Sequence, residues 1–393
     1  MKSLHLPIIT ALLALIFAGS AFALDMEVCG EIKTGLFAER RELGGETYAH
    51  TRIHNNDGDS GSAEGRIRLG INLTMENFGI RTRFYQQDFK RGTGANDTNV
   101  IRIGTDFAYA YGNLLDSQLT ISAGLLGESP WGSGGPELWR ELEQTGSGSP
   151  ITGIRTEYKP RFAPGLNVGF VLNRQDDTVP SDAKEQFGDL FMESIAGIAY
   201  EHDYFAFRFA YRFDRGIDSP AAVVIGDRLV YRVEERILRT LLPDMAVWAN
   251  GYYEGINAEG KKGSGRGAPG YGQNWLYISY DPEYFTAGLD VGYRDGFALN
   301  AQQLEFRPSF YYKFFDHFLV AGLMYGLEMG FNRGKSFEDA FYNFWFIEPQ
   351  VRANISSNLY AAVVYRYISG AYKASSNKDQ NTHWVNIRIV YTF

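Results

Sequence analysis

From Val28 to Phe393, apolar side chains recur at every second position, which is the period of a β-strand and not of a helix. Ile67, Leu69, Ile71, Leu73 and Met75 share one parity; Arg66, Arg68, Gly70, Asn72, Thr74 and Glu76 share the other. After Val100 the chain reads Ile101, Ile103, Thr105, Phe107 and Tyr109 against Arg102, Gly104, Asp106, Ala108 and Ala110. Phe205, Phe207, Phe209, Tyr211 and Phe213 oppose Ala206, Arg208, Ala210 and Arg212. The same alternation returns over Phe285–Tyr293 and Leu359–Tyr367. The chain is therefore expected to be all-β.

A soluble β-sandwich alternates too, but three features select a closed antiparallel barrel in a membrane. The apolar faces repeatedly end in Tyr, Phe or Trp, as belts at a membrane interface do. The opposite faces carry Arg beside Gly and Ala, which suits a wet lumen. Short and long connections alternate along the chain, the pattern of an outer-membrane barrel with short turns on one side and long loops on the other. Short turns are expected at Glu76–Gly79, Gly112–Ser117, Pro160–Gly165, Asp203–Tyr204, Asp281–Tyr284, Phe314–His317 and Ser356–Asn358. Long polar stretches fall at Arg40–Glu64, Asp88–Asn99, Gly127–Pro150, Arg174–Leu190, Gly255–Gly272, Gly330–Tyr342 and Ile368–His383. The strand count is about 18, an even number that returns both termini to one side. Within Asp214–Gly255 the alternation falters around Ile237–Met245, which leaves 16 as the alternative.

Composition agrees: 15% of residues are aromatic and 44 are Gly, while the chain stays mildly hydrophilic overall. The net charge of -8 excludes a nucleic-acid binder on bulk electrostatics. No zinc or phosphate-loop spacing occurs, and no cofactor is expected. Lys2, the apolar stretch Leu4–Ala18 and Ala21-Phe22-Ala23 form a predicted cleaved signal peptide over residues 1–23. Residues 24–393 are then a single transmembrane β-barrel with long external loops. Cys29 has no partner cysteine in the chain and reads as a small residue of the first strand.

At the other end, Val385, Ile387, Ile389, Tyr391 and Phe393 alternate with Asn386, Arg388, Val390 and Thr392. This resembles the terminal strand of bacterial outer-membrane proteins, in which a C-terminal Phe is the assembly signal read by the barrel-insertion machinery. As a whole, residues 24–393 resemble the bacterial porin class, general or substrate-selective, in architecture and without a family-specific motif. The resemblance implies a water-filled channel in the cell outer membrane for passive diffusion of small hydrophilic solutes or ions. It also implies a constriction made by the third external loop, here Gly127–Pro150, between the fifth and sixth strands. That loop holds Glu128, Glu137, Glu141 and Glu143, and Pro136–Glu141 could form a short helix. It departs from the family pattern in also carrying Trp131 and Trp139.

Opposite this acidic loop the family pattern calls for a pore-lining basic cluster, supplied here by Arg66, Arg68, Arg81, Arg83 and Arg102. Adjacent strands lie about 4.8 Å apart, so these side chains would gather on one patch of wall and set a transverse field with the loop. The competing reading pairs them with wall carboxylates such as Glu76 and Asp106. Arg155, Arg208, Arg212, Arg294, Arg307, Arg352, Arg366 and Arg388 also have inward parity, offset by Glu157, Asp290, Glu305, Glu328 and Glu348. The balance leans to anions.

Rival functions are an enzyme, a dedicated channel for anionic sugars or carboxylates, and a surface adhesin acting through loops such as Arg40–Glu64. Barrel enzymes need a His beside Ser or Asp at the rim; His50 and His54 near Asp57 and Asp59 read as loop polarity, so the chain is not expected to be an enzyme. A sugar channel would use lumenal aromatics, for which Tyr85, Tyr253 and Tyr311 are candidates. The expected partners are the lipid bilayer, the barrel-insertion machinery, small polar solutes and, as one assembly state beside a monomer, a homotrimer.

Overall fold

A computed structural model describes residues 24–43, 45–53, 66–90, 100–126, 131, 151–173, 194–213, 227–256, 271–296, 301–332, 343–372 and 378–393. The expected signal peptide and most of each long connection lie outside these. The first strands are β1 (Asp25–Leu43), β2 (Glu46–Ile53), β3 (Arg66–Met75), β4 (Phe78–Lys90), β5 (Val100–Leu114) and β6 (Leu119–Leu126). Then come β7 (Ile151–Tyr158), β8 (Leu166–Asn173), β9 (Ile195–Glu201), β10 (Phe205–Arg212), β11 (Asp227–Glu235) and β12 (Met245–Ile256). The last are β13 (Tyr271–Tyr280), β14 (Phe285–Gly296), β15 (Ala301–Phe314), β16 (Leu319–Asn332), β17 (Asn343–Ser356), β18 (Leu359–Tyr372) and β19 (Lys378–Thr392).

From β3 onward each strand pairs antiparallel with the next, and β19 pairs back onto β1, so the sheet closes. β2 lies along Leu36–Leu43 of β1, and β3 along Asp25–Lys33 of the same strand. The two share one place in the wall, so the 19 strands make an 18-strand barrel. A barrel of that size is too wide for its own side chains to fill. At the seam the Gly30 N–H donates to the Phe393 carbonyl at 2.7 Å, and the Phe393 N–H donates to the Gly30 carbonyl at 3.1 Å. Ile67, Leu69, Phe306, Phe310, Ile387 and Ile389 stand exposed on the outer face, where the opposite parity would be charged. That face suits lipid.

Three expectations are corrected. The stretch Arg40–Glu64, read as a loop, carries the end of β1 and all of β2. Here no apolar parity marks the strand, because both faces are charged. Arg40 pairs with Glu42 at 2.8 Å and Arg41 with Glu39 at 2.9 Å, one ion pair on each face. Several other expected loops shorten in the same way, with β4 reaching Lys90, β16 Asn332 and β18 Tyr372. Second, the lapse of alternation near Ile237 is a turn and not a missing strand. It holds a single-turn helix, α1 (Ile237–Leu241), whose Leu238 N–H donates to Glu235 Oε1 at 2.9 Å. Third, the β4–β5 register slips between Arg83 and Phe84, leaving Asp106 without a cross-strand partner. Such a bulge exchanges the faces of the strand beyond it. Phe107, Tyr109 and Tyr111 therefore turn inward, while Ala110, paired with Ile80 and Ala123, faces out.

Candidate functional site: the charged lumen

The parity opposite the lipid face lines the bore, and the register assembles its charges strand by strand. On the β3–β5 arc, Arg68 and Arg83 converge on one carboxylate: their Nε atoms stand 3.2 and 2.7 Å from Asp106 Oδ2. The bulge that displaces Asp106 is what brings it within reach of both. Arg81 lies over the Tyr111 ring at 5.3 Å, and Arg83 over Phe107 at 4.8 Å. Arg66 and Arg102 sit in β3 and β5, but their side chains lie outside the described set, as do Glu128, Glu137, Glu141 and Glu143. Glu76 is exposed in the turn after β3, whereas Asp106 takes the two arginines.

Further round, Arg155 and Glu157 pair at 2.9 Å on β7, and Asn167 Nδ2 donates to the same carboxylate at 3.3 Å. The densest arc runs from β14 to β18. Glu305, 0% exposed, meets Arg294 at 2.9 Å and Arg307 at 2.5 Å. Arg307 Nη2 also donates to Glu328 at 2.9 Å, and Gln303 Nε2 donates to Glu328 at 2.6 Å. Next to it Arg366 pairs with Glu348 at 2.5 Å. Charges removed this far from bulk water persist only when paired and hydrogen-bonded. This arc is a cross-linked part of the wall.

Sequence reading missed what backs the arginines. Arg232 lies 4.2 Å over Trp248, Arg228 5.4 Å over Tyr252, and Arg352 4.1 Å over Tyr360. Arg366 lies between Phe346 and Trp384, at 4.5 and 4.8 Å. A guanidinium is flat and weakly hydrated, so it stacks on a ring face and keeps its full charge. A carboxylate holds an arginine by cancelling it; a ring holds it without doing so. Tyr85 and Tyr311 lie on the lumen parity, opposite Arg68 and Gly322. Tyr253 does not: it stacks with Tyr231 at 6.4 Å on the outer face. One residue of the third connection is described. Trp131 is 0% exposed and packs with Leu126, Val171, Ile195, Ala210 and Val230.

No family model matches the chain, and no curated protein matches it. Solved structures do. OpdL of Pseudomonas aeruginosa is 10% identical with a TM-score of 0.53, covering 94% of this chain and 99% of its own. OccK5 (OpdH) of the same organism is 11% identical with a TM-score of 0.50, covering 93% and 98%. The anion-selective porin from Comamonas acidovorans is 10% identical with a TM-score of 0.50, covering 94% and 100%. At these identities the likeness is one of fold. Taken with the closed wall, the lipid-suited exterior and the charged bore, it identifies the chain as a transmembrane β-barrel with the fold of the outer-membrane porins.

Proposed function

We propose that the protein is a porin of the outer membrane, a water-filled channel through which small hydrophilic solutes and ions diffuse passively, with a preference for anions. The observation that carries this reading is the division of one closed wall into an apolar outside and an arginine-rich inside. The anion preference is supported by Arg81 and Arg352, which lie over the Tyr111 and Tyr360 rings, and by Arg68 and Arg83, which converge on the one carboxylate of Asp106. In this reading Arg66, Arg81 and Arg102 join that basic wall, and Glu128, Glu137, Glu141 and Glu143 line the constriction facing it. Residues 1–23 direct export and are removed, Phe393 is read during insertion, and the barrel assembles as a monomer or homotrimer.

A narrower reading, a dedicated channel for anionic sugars or carboxylates, draws on the stacked Arg–aromatic pairs, which offer a charge and a flat apolar face together. Two measurements on the purified barrel decide. A planar bilayer under a salt gradient should give a conducting pore with an anion-selective reversal potential. Liposome swelling should admit neutral sugars and carboxylates alike for a general porin, and carboxylates far ahead of sugars of equal size for the dedicated channel. A folded barrel that carries no current and swells no liposomes would end the porin reading.

A further inference from the structure

Two prolines lie inside the described strands, Pro308 in β15 and Pro349 in β17, each on the outer parity between exposed apolar residues. A proline has no N–H to give to the strand beside it, so within a sheet it belongs on an edge or at a bulge. Here both strands are paired on both sides. The β15–β16 ladder breaks off at Phe306–Leu327 and resumes at Ser309–Met324 in the same register. The β17–β18 ladder breaks off at Ile347–Tyr367 and resumes at Gln350–Val364, again without a shift. Each break is therefore a loss of backbone bonding and not a bulge, and in each the proline faces a tyrosine, Tyr325 or Tyr365. The β14–β15, β16–β17 and β18–β19 ladders run through the same level unbroken. The pair β16–β17 is a panel of wall with a weakened seam along each side.

An ion pair crosses each break on the lumen side. Glu348 and Arg366, which face each other within the β17–β18 break, pair at 2.5 Å. In the β15–β16 break Arg307 faces Gly326 and reaches along the strand to Glu328 at 2.9 Å. Gln303 Nε2 donates to the same carboxylate at 2.6 Å. Both glutamates belong to the panel, and both arginines come from the strands flanking it. The arginines also meet on one ring of the panel, Phe346, at 5.5 and 4.5 Å. That ring lies over its cross-strand neighbour Gly326, where a Cβ would overlap it. We infer that the two ion pairs are clamps standing in for the backbone bonds lost at Pro308 and Pro349, and that β16–β17 is the section of wall that parts first when a clamp is released. A buried ion pair adds little over apolar packing of the same volume; here it spans a seam that the backbone leaves open. The clamps depend on the closed wall alone and not on what passes through it.

Four substitutions in the full chain test this. Pro308→Ala and Pro349→Ala each return the missing donor to one seam, while Glu328→Gln and Glu348→Gln each remove the charge of one clamp and keep its shape. The readout is the temperature at which the folded band converts to the unfolded one on a detergent gel. Each Glu→Gln change should lower it. Pro308→Ala should relieve the fall from Glu328→Gln more than that from Glu348→Gln, and Pro349→Ala the reverse, because groups that share a task depart from additivity and separated groups do not. Unchanged conversion temperatures, additive falls in every combination, or equal relief of both falls by one proline replacement overturn the clamps. Amide hydrogen exchange reads the panel directly: β16 and β17 should lose protection ahead of β13 and β14, and further ahead in the Glu→Gln variants. If those variants do not fold, the wild-type order decides, and a panel exchanging with or after β13 and β14 overturns the inference.

Discussion

The Arg68–Asp106–Arg83 group is the most direct handle on selectivity, because each neutral substitution in it changes the wall charge by one unit at a defined place. An ion passing about 5 Å from one net charge in water gains or loses ~0.8 kcal/mol. With a screening length of about 10 Å at 0.1 M salt this falls to ~0.5 kcal/mol. Attraction of an anion and repulsion of a cation then differ by ~1 kcal/mol, about a fivefold bias. At about 1 M salt, with a screening length of about 3 Å, the bias falls below about twofold. Asp106→Asn removes one negative charge and should move the reversal potential toward anions. Arg68→Gln with Arg83→Gln removes two positive charges and should move it toward cations. The assay is the reversal potential of the three proteins under one KCl gradient, repeated at low and high mean salt. If Asp106→Asn moves selectivity toward cations, or the three proteins agree at low salt, these residues do not set the field an ion meets.

Three further outcomes are expected. Arg307→Ala leaves Glu305 with Arg294 and Glu328 with Gln303 but takes away the cation that bridges the two carboxylates; breaking a buried pair costs about 3–5 kcal/mol, so the folded barrel should convert to the unfolded band at a clearly lower temperature. Phe393→Ala should lower assembly into the outer membrane without blocking export, and Gly30→Val should do the same, since a side chain there meets the Phe393 ring; normal assembly of both would remove the seam from the insertion signal. Asp281, in the turn before β14, is partly buried, which opposes its ionisation, yet the Lys313 ammonium at 2.7 Å and the Thr286 hydroxyl hold its carboxyl below the usual carboxylate range. A carboxyl depressed on folding adds stability above its unfolded pKa and loses it as pH falls through the folded one, so wild type and Asp281→Asn should differ in unfolding temperature at neutral pH and converge in acid.

The lipid-facing strands were legible because one solvent imposes one parity: Ile67 to Met75 and Val385 to Phe393 need no partner to reveal their outward side. Legibility ended where that asymmetry ends. At the end of β1 both faces are charged, so Glu39 to Glu42 look like a loop and are strand. At Asp106 a single unmatched residue exchanges the faces, and the sequence on either side alternates just as well in the wrong phase. Parity alone puts Arg68, Arg81 and Arg83 on one face, but it does not choose between pairing and stacking. Whether Arg83 finds Asp106 depends on a bulge, and whether Arg232 finds Trp248 depends on a register between strands that no local pattern encodes. The seat of Trp131 is the same kind of problem, since Val171, Ile195, Ala210 and Val230 form one patch only when β8 to β11 lie side by side.

The seam between Gly30 and Phe393 has a consequence for how the barrel can come into being. β1 and β19 are the first and last strands described, so the ladder that runs from Glu31–Thr392 to Leu43–Gln380 joins strands further apart in sequence than any other pairing among the described residues. It is available only once every intervening hairpin is in place. Such non-local pairings form slowly, and until this one forms both terminal strands are open edges with apolar flanks, the surface that recruits other chains into aggregates. Closure removes both edges in a single step, and half a barrel has none of that protection. The interval between the end of synthesis and the meeting of Gly30 with Phe393 is therefore the vulnerable period of this protein, and an escort that shields strand edges would matter most there.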